Sequence, residues 1–86
     1  MSRPKDWRLD VVKAVNFYQQ MSARIAHATM ADALLETMGY PAKQAYRMLE
    51  DAAEEGLIDY GVSARTAWLT DKGRRLLLSG KLDGAP

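Results

Sequence analysis

The fold is decided by the stretch MGYPAKQAYRMLEDAAEEG, residues 38–56, which holds a helical pattern between two glycines. Gly39 can end a preceding helix in the left-handed conformation, and Pro41 suits the start of the next helix. After Pro41 the apolar residues recur at positions i, i+3, i+4 and i+7, and Gly56 ends the run. The residues with this spacing are Ala45, Met48, Leu49 and Ala52. The pattern predicts an amphipathic helix over 41–55 that follows another helix through a tight turn.

The helix before the turn is expected to begin at Thr29. Thr29-Met30-Ala31-Asp32 resembles a capping box with the shorter acid, and apolar residues then follow one face. That face consists of Met30, Ala33, Leu34 and Met38. We expect the two helices to be locked together by Leu34, Met38, Tyr40, Ala45 and Met48. The methionines at 21, 30, 38 and 48 are interpreted as gap-filling core residues.

The opposite face of the helix over 41–55 is polar and cationic. The apolar spacing leaves five residues facing outward: Ala42, Lys43, Gln44, Tyr46 and Arg47. Arginine and lysine pair with guanine or with phosphate, and glutamine pairs with adenine. In a helix-turn-helix unit, the N-terminal half of the second helix enters the major groove of DNA. The pattern therefore indicates a DNA-contacting face, although the solvated face of an ordinary amphipathic helix fits the same spacing.

Residues 6–21 predict a further helix, with Asp6 as its N-cap. One face of this helix carries Trp7, Val11, Ala14, Val15, Tyr18 and Met21. Leu9, Val12 and Phe17 lie off that face, and three apolar side chains are too many for a fully solvated surface. Together with Trp7 they form the expected surface for a homodimer or another partner. A core that wraps further around the helix is the alternative.

Three short stretches favour β-structure. Residues 22–28 fit either a helical connection or a short strand, and we expect the strand, with Ile25 pointing inward. Residues 57–60 and 66–70 are β-prone and are separated by a connection of turn length, so they predict a hairpin. Trp68 alternates with polar neighbours in the second stretch, which indicates a core position.

A final helix is expected after the hairpin, capped by Thr70 or Asp71. Over roughly residues 29–78 the sequence resembles the winged helix-turn-helix family of bacterial transcription regulators, including its MarR-like and PadR-like branches. The matching residues are Ala45-Tyr46-Arg47-Met48-Leu49-Glu50, Glu55-Gly56-Leu57-Ile58, Arg65, and Leu69-Thr70-Asp71-Lys72-Gly73-Arg74-Arg75-Leu76-Leu77.

The resemblance implies a mainly α fold with a small β-hairpin: a winged helix-turn-helix with a three-helix core, a wing and a C-terminal helix. Residues 41–55 would be the recognition helix and residues 57–70 the wing. Arg65 of the wing would reach the minor groove or phosphates. The chain is expected to divide into a flexible N-terminus (1–5), the winged-helix domain (6–79) and a flexible C-terminal tail (80–86).

The charge of the chain is unevenly distributed. The 86 residues leave room for one small domain, and the formal net charge is +1. The charge is +3 over residues 1–27, −4 over 28–55 and +2 over 56–86. Four of the six acidic residues of the middle segment lie in the distal half of the predicted recognition helix, where we expect them to point away from DNA: Glu50, Asp51, Glu54 and Glu55. A molecule of this kind can present one basic face although its net charge is near zero.

The composition argues against several classes of function. The chain has no cysteine, which excludes disulfides, thiolate metal sites and cysteine nucleophiles. His27 is the only histidine and has no acidic neighbours at metal-ligand spacing. We therefore expect no metal site. Because the six glycines are dispersed and no Ser/His/Asp set stands out, we also expect no enzymatic activity and no cofactor, and we infer no small-molecule ligand. Neither a secretory signal nor an apolar run near the ~20 residues of a membrane span is visible, so we expect a cytoplasmic protein.

Two functions fit the sequence. The first is sequence-specific binding of double-stranded DNA by a small homodimeric transcriptional regulator. The second is a winged helix used as a protein–protein interaction module, as a subunit or accessory protein of a larger assembly. The acidic middle segment and the apolar residues Leu9, Val12 and Phe17 favour the second.

Overall fold

A computed structural model of the chain describes residues 3–80. Within that range the protein is mainly helical, with four α-helices and one two-stranded antiparallel hairpin. The helices are α1 (Trp7–Ser22), α2 (Ala31–Thr37), α3 (Ala42–Glu54) and α4 (Asp71–Ser79), and the strands are β1 (Ile58–Asp59) and β2 (Trp68–Leu69). A short 3-10 helix, Ala64–Thr66, lies between the strands. The arrangement is compatible with a winged-helix layout.

The core lies where α3 meets α1, α2 and the hairpin. The predicted apolar face of α3 is confirmed, since all four of its residues are fully buried: Ala45, Met48, Leu49 and Ala52. Burial of a leucine or methionine side chain stabilises the fold by roughly 1.5–3 kcal/mol, so these positions fix how α3 is oriented. The outward face of α3 is therefore also fixed.

The packing of α1 corrects the expected partner surface. Trp7 and Val12 are wrong as members of that surface, because both are buried in the core. Since α1 packs against α2, α3, α4 and β2, its buried arc is wider than a single helical stripe. Leu9 is half-buried against the core, which leaves Phe17 as the exposed residue of the four.

The connection between α1 and α2 also differs from expectation. Residues 23–30 contain turns and no strand, and Ile25 is exposed rather than inward. In α2 the fully buried residues are Ala31 and Leu35, whereas Met30 and Met38, on either side of the helix, are exposed. The helix is only seven residues long, so its orientation is set by packing against α1 and α3 rather than by its own apolar stripe.

Of the three side-chain caps predicted for helix starts, one forms. Asp6 precedes α1 but makes no side-chain cap hydrogen bond. Met30, not Thr29, occupies the N-cap position of α2, again without a side-chain bond. The predicted cap of α4 is confirmed, because the Thr70 hydroxyl accepts a hydrogen bond from the Gly73 backbone N–H at 3.1 Å.

The hairpin pairs Ile58 with Leu69 and Asp59 with Trp68. Ile58 and Leu69 point into the core, so the alternating partner Trp68 faces outward and is 44% exposed. The prediction that Trp68 belongs to the core is therefore wrong. The outer edge of β2 is covered by α1, where the Gln19 side-chain carbonyl accepts a hydrogen bond from the Leu69 N–H at 2.8 Å.

Both expected flexible ends extend beyond the described part of the chain. Residues 1–2 and 81–86 lie outside it, so the expected C-terminal tail is described only at Gly80. At the other end, Arg3 forms an ion pair with Asp51 of α3 at 2.6 Å. Among residues 3–80, no helix is both long enough and apolar enough to cross a membrane.

Candidate nucleic-acid interface

The turn between α2 and α3 is held against α1. Gly39 takes a φ of 106°, which lies in the region that favours glycine. Tyr40 is buried beside it, and its hydroxyl donates a 2.5 Å hydrogen bond to Asp10 of α1. The pKa of Tyr40 is raised above its ordinary value, mainly because the phenol is buried and secondly because it donates the hydrogen bond to Asp10. The phenol therefore stays a hydrogen-bond donor across the physiological range, and the turn stays attached to α1.

The N-terminal half of α3 exposes the residues that the sequence placed outward. Ala42, Lys43 and Arg47 are exposed, and Gln44 and Tyr46 are half-buried at its flanks. Within residues 3–80, neither Lys43 nor Arg47 has an ion-pair or hydrogen-bond partner. Two adjacent cations at i and i+4 are thus available to an external anion.

Arg65 approaches this face from the segment between the strands. Its Nε lies 3.0 Å from an Asp32 carboxylate oxygen at the start of α2. Its guanidinium carbon lies 5.4 Å from the ring centroid of Tyr46, within the range of a cation–π contact. The Arg65 side chain is still 56% exposed, so it is oriented on two sides and accessible to solvent. Asp32 and Tyr46 lie far from Arg65 in sequence, and no local pattern could have shown their contact.

The distal half of α3 is tied to the N-terminal segment by ion pairs. Asp51 pairs with Arg3, and Glu55 just beyond the helix accepts two hydrogen bonds from Arg8, at 2.5 and 2.8 Å. The hydrogen bond from Arg8 holds the pKa of Glu55 below its ordinary value. The same interaction raises the pKa of Arg8. The guanidinium carbons of Arg3 and Arg8 each lie 4.6 Å from the Trp7 ring centroid, which packs the pairs together.

Glu50 and Glu54 are exposed, and neither forms an ion pair or a side-chain hydrogen bond among the described residues. They follow Lys43 and Arg47 at helical spacing, so all four residues lie along one exposed stripe. The positive and negative parts of α3 are therefore separated along the helix axis rather than on opposite faces. The sequence analysis expected Glu50 and Glu54, in the distal half of the helix, to point away from DNA, whereas their spacing from Arg47 puts them on its exposed stripe.

The exposed part of the expected partner surface borders a groove between α1 and α2. The groove has a volume of about 230 Å³ and is lined by Lys13, Ala14, Phe17, Leu34, Thr37 and Met38. Phe17 is 52% exposed and Met38 is 46% exposed. Asp32 of α2 does not line this groove and pairs instead with Arg65.

No group of three or more metal-binding side chains occurs within residues 3–80. Compared with known proteins, the chain matches no protein-family model, no curated protein and no solved structure. The function is therefore proposed from the residues and geometry described above.

Proposed function

We propose that this chain is a winged helix-turn-helix protein that binds double-stranded DNA sequence-specifically and acts as a small transcriptional regulator. The observation that carries the proposal is the pair of exposed, unpaired cations Lys43 and Arg47. They lie on the N-terminal half of α3, which is the second helix of the pair and follows the tight turn. This is the part of a helix-turn-helix unit that enters the major groove.

Each residue of the interface has a defined role in this proposal. Arg47 and Lys43 pair with guanine edges or with phosphates, and Gln44 at the flank pairs with adenine. Tyr46 packs against the sugar–phosphate backbone, while Arg65 contacts a phosphate or the minor groove beside α3. About half to two-thirds of protein–DNA hydrogen bonds go to phosphate and sugar, so two or three base contacts suffice for sequence preference.

The burial of the opposite face of α3 supports the proposal. Met48 and Leu49 are fully buried, so the helix cannot rotate without exposing them. The Tyr40–Asp10 hydrogen bond holds the preceding turn to α1. A groove-binding helix needs this kind of rigid support, because side chains on fixed helices are placed more precisely than those on loops.

The experiment is a fluorescence-anisotropy titration of the full chain against a random pool of duplex oligonucleotides. The double variant Lys43→Ala/Arg47→Ala should weaken binding by at least about tenfold and lower the slope of log K against log salt by about 2. The matched control is Lys13→Ala/Arg24→Ala, which removes the same charge from α1 and the turn after it. Its binding should remain within about threefold of wild type, since general electrostatic attraction is all it loses.

Two results would contradict the proposal. One is that the wild type binds no duplex in the pool at low salt. The other is that the two double variants weaken binding equally, because the cations of α3 would then act only through net charge.

A second candidate function is binding of another protein instead of DNA. The observation that favours it is the exposure of Phe17 and Met38 beside the groove between α1 and α2. Binding at this groove should depend little on ionic strength, because its lining is mostly apolar, whereas DNA binding falls steeply with salt. If Phe17→Ser abolishes binding of the other protein while Lys43→Ala/Arg47→Ala leaves that binding unchanged, this candidate is favoured.

A further inference from the structure

The exposed stripe of α3 carries two cations followed by two anions at symmetrical spacing. Lys43, Arg47, Glu50 and Glu54 are separated by four, three and four residues. Read from the other end, the spacing is the same and every sign is opposite. All four side chains are exposed. DNA binding uses only the cationic half, so it does not account for the two glutamates.

The stripe is left unpaired while its neighbours are paired. Asp51 and Glu55, on or next to the same helix, form ion pairs with Arg3 and Arg8. None of the four stripe residues has a partner within residues 3–80. The charged residues of α3 and its C-terminal end therefore fall into two groups. One group forms ion pairs within the fold, and the other is exposed and forms none among residues 3–80.

The order of charges also works against the stability of α3 itself. A cation in the first turn and an anion in the last turn both oppose the helix macrodipole. Lys43 with Arg47, and Glu50 with Glu54, are like-charge pairs at i and i+4, which disfavour a helix, against one favourable pair of opposite charge at i and i+3, Arg47 with Glu50. An external partner with the opposite charge order would relieve both effects.

We propose that this stripe binds the same stripe of a second copy of the chain, with the two α3 helices antiparallel. In that register Lys43 faces Glu54 of the second copy and Arg47 faces its Glu50, and the twofold axis repeats both pairs. Lys43 and Glu54 lie about 16 Å apart along the helix, and antiparallel alignment brings all four pairs level at once. The two helix macrodipoles are then also antiparallel, which is favourable. A parallel arrangement would place like charges together.

This association does not rest on the proposed DNA binding, and the two exclude each other. Lys43 and Arg47 cannot contact a partner's glutamates and DNA at the same time. The contact consists of exposed charges, so it is weak and strongly weakened by salt. Release of the second copy would accompany DNA binding.

The test is sedimentation equilibrium of the full chain at low and high salt, about 20 and 500 mM. The wild type should self-associate at low salt, and its association constant should fall by at least about tenfold at high salt. Lys43→Glu/Arg47→Glu and Glu50→Lys/Glu54→Lys should each be monomeric alone. A one-to-one mixture of the two should associate at least as tightly as wild type, because every contact is again between opposite charges.

A matched mixture separates the stripe from general attraction between oppositely charged proteins. Lys13→Glu/Arg24→Glu and Glu36→Lys/Asp59→Lys carry the same net charges as the two stripe variants. Both control variants keep the wild-type stripe, so mixing them adds only the general attraction and should strengthen association less than mixing the two stripe variants does. Equal strengthening in the two mixtures would overturn the proposal, as would a monomeric wild type at low salt.

The outcome is independent of the DNA experiment. A wild type that self-associates through the stripe but binds no duplex supports this proposal and contradicts DNA binding. A wild type that binds duplex through Lys43 and Arg47 but stays monomeric does the reverse. Association that persists at high salt would overturn the proposal, because it would require an apolar contact.

Discussion

The two ends of α3 are built differently. At the C-terminal end, Arg8 binds Glu55, the Lys72 amine donates to the Glu55 carbonyl at 2.9 Å, and the Thr70 hydroxyl donates to the Gly56 carbonyl. At the N-terminal end, no side chain caps the helix after Pro41, and Lys43 is exposed. At both ends a residue beside the helix is held by one distant in sequence, since Tyr40 before α3 binds Asp10. The difference lies in the first turn of the helix itself, which has no side-chain cap and leaves Lys43 open to solvent.

This difference suits the two ends of the helix to different purposes. Contacts at the C-terminal end orient α3, while the N-terminal end leaves its donors and cations available to a partner. Perturbing the held end should therefore change stability, and perturbing the open end should change binding. The following variants test that contrast, from the largest expected effect to the smallest.

Gly73→Ala should destabilise the protein by about 3 kcal/mol, the upper part of the range for overpacking. A Cβ at this position would overlap the backbone carbonyl of Leu57, directly after the held end of α3. Because backbone cannot move aside as a side chain does, the hairpin and α4 would have to separate. Urea unfolding measures the loss. Gly61→Ala is the control, since nothing lies within 4 Å of its added Cβ, and should stay within about 0.5 kcal/mol of wild type.

Glu55→Gln should cost about 0.5 kcal/mol at neutral pH, the usual size for an exposed ion pair. The folded-state pKa of Glu55 lies below its ordinary value of 4.5, so the stabilisation is fully present above that value and is lost as the pH falls through the folded-state pKa. The wild-type and variant unfolding free energies should therefore converge as the solution becomes acidic. A difference that stays constant between pH 7 and acid would show that the Arg8 pair does not supply it.

Lys43→Glu should slightly stabilise the fold while weakening DNA binding. An anion in the first turn of α3 interacts favourably with the helix macrodipole, by roughly 0.5 kcal/mol. The same change places a negative charge where DNA phosphates are proposed to lie. Thermal unfolding and duplex titration of one sample check both signs. If the variant is less stable than wild type, or if its DNA affinity is unchanged, the proposal that Lys43 serves DNA binding and costs the helix stability is wrong.

Much of the fold is predictable because its long helices carry strong periodic signals. The predicted spans of α1 and α3 agree with the structure to within one residue at each end, and all four core residues of α3 are confirmed. The cap formed by Thr70 is also confirmed, because an N-cap depends on residues only three positions apart. In each case the deciding interactions are local or lie along one helical face.

The failures concern short elements and packing between distant residues. In the two-residue strands, alternation says that Trp68 and Leu69 point to opposite faces but not which of them faces the core. The seven-residue α2 is similarly ambiguous, so Leu35 was missed and Met30 and Met38 were overestimated as core. Val12 is buried because α1 is surrounded on several sides, which a single helical stripe does not reveal.

The candidate site was predictable to the extent that α3 was. Its outward residues follow directly from its buried face, so Lys43 and Arg47 were found from spacing alone. The orientation of Arg65 by Asp32 and Tyr46 required the tertiary structure, because it joins three separate elements. The same holds for the ion pairs from Arg3 and Arg8, which distinguish the paired acids of α3 from Glu50 and Glu54.

The hydrogen bond from Leu69 to Gln19 has a consequence for solubility. An unpaired backbone N–H on an outer strand is a template on which another chain can add a strand and begin to aggregate. The Gln19 carboxamide occupies that donor, and the α1 backbone beside it offers no extended partner. Growth of the hairpin into a larger intermolecular sheet is thereby blocked at β2 by a single glutamine.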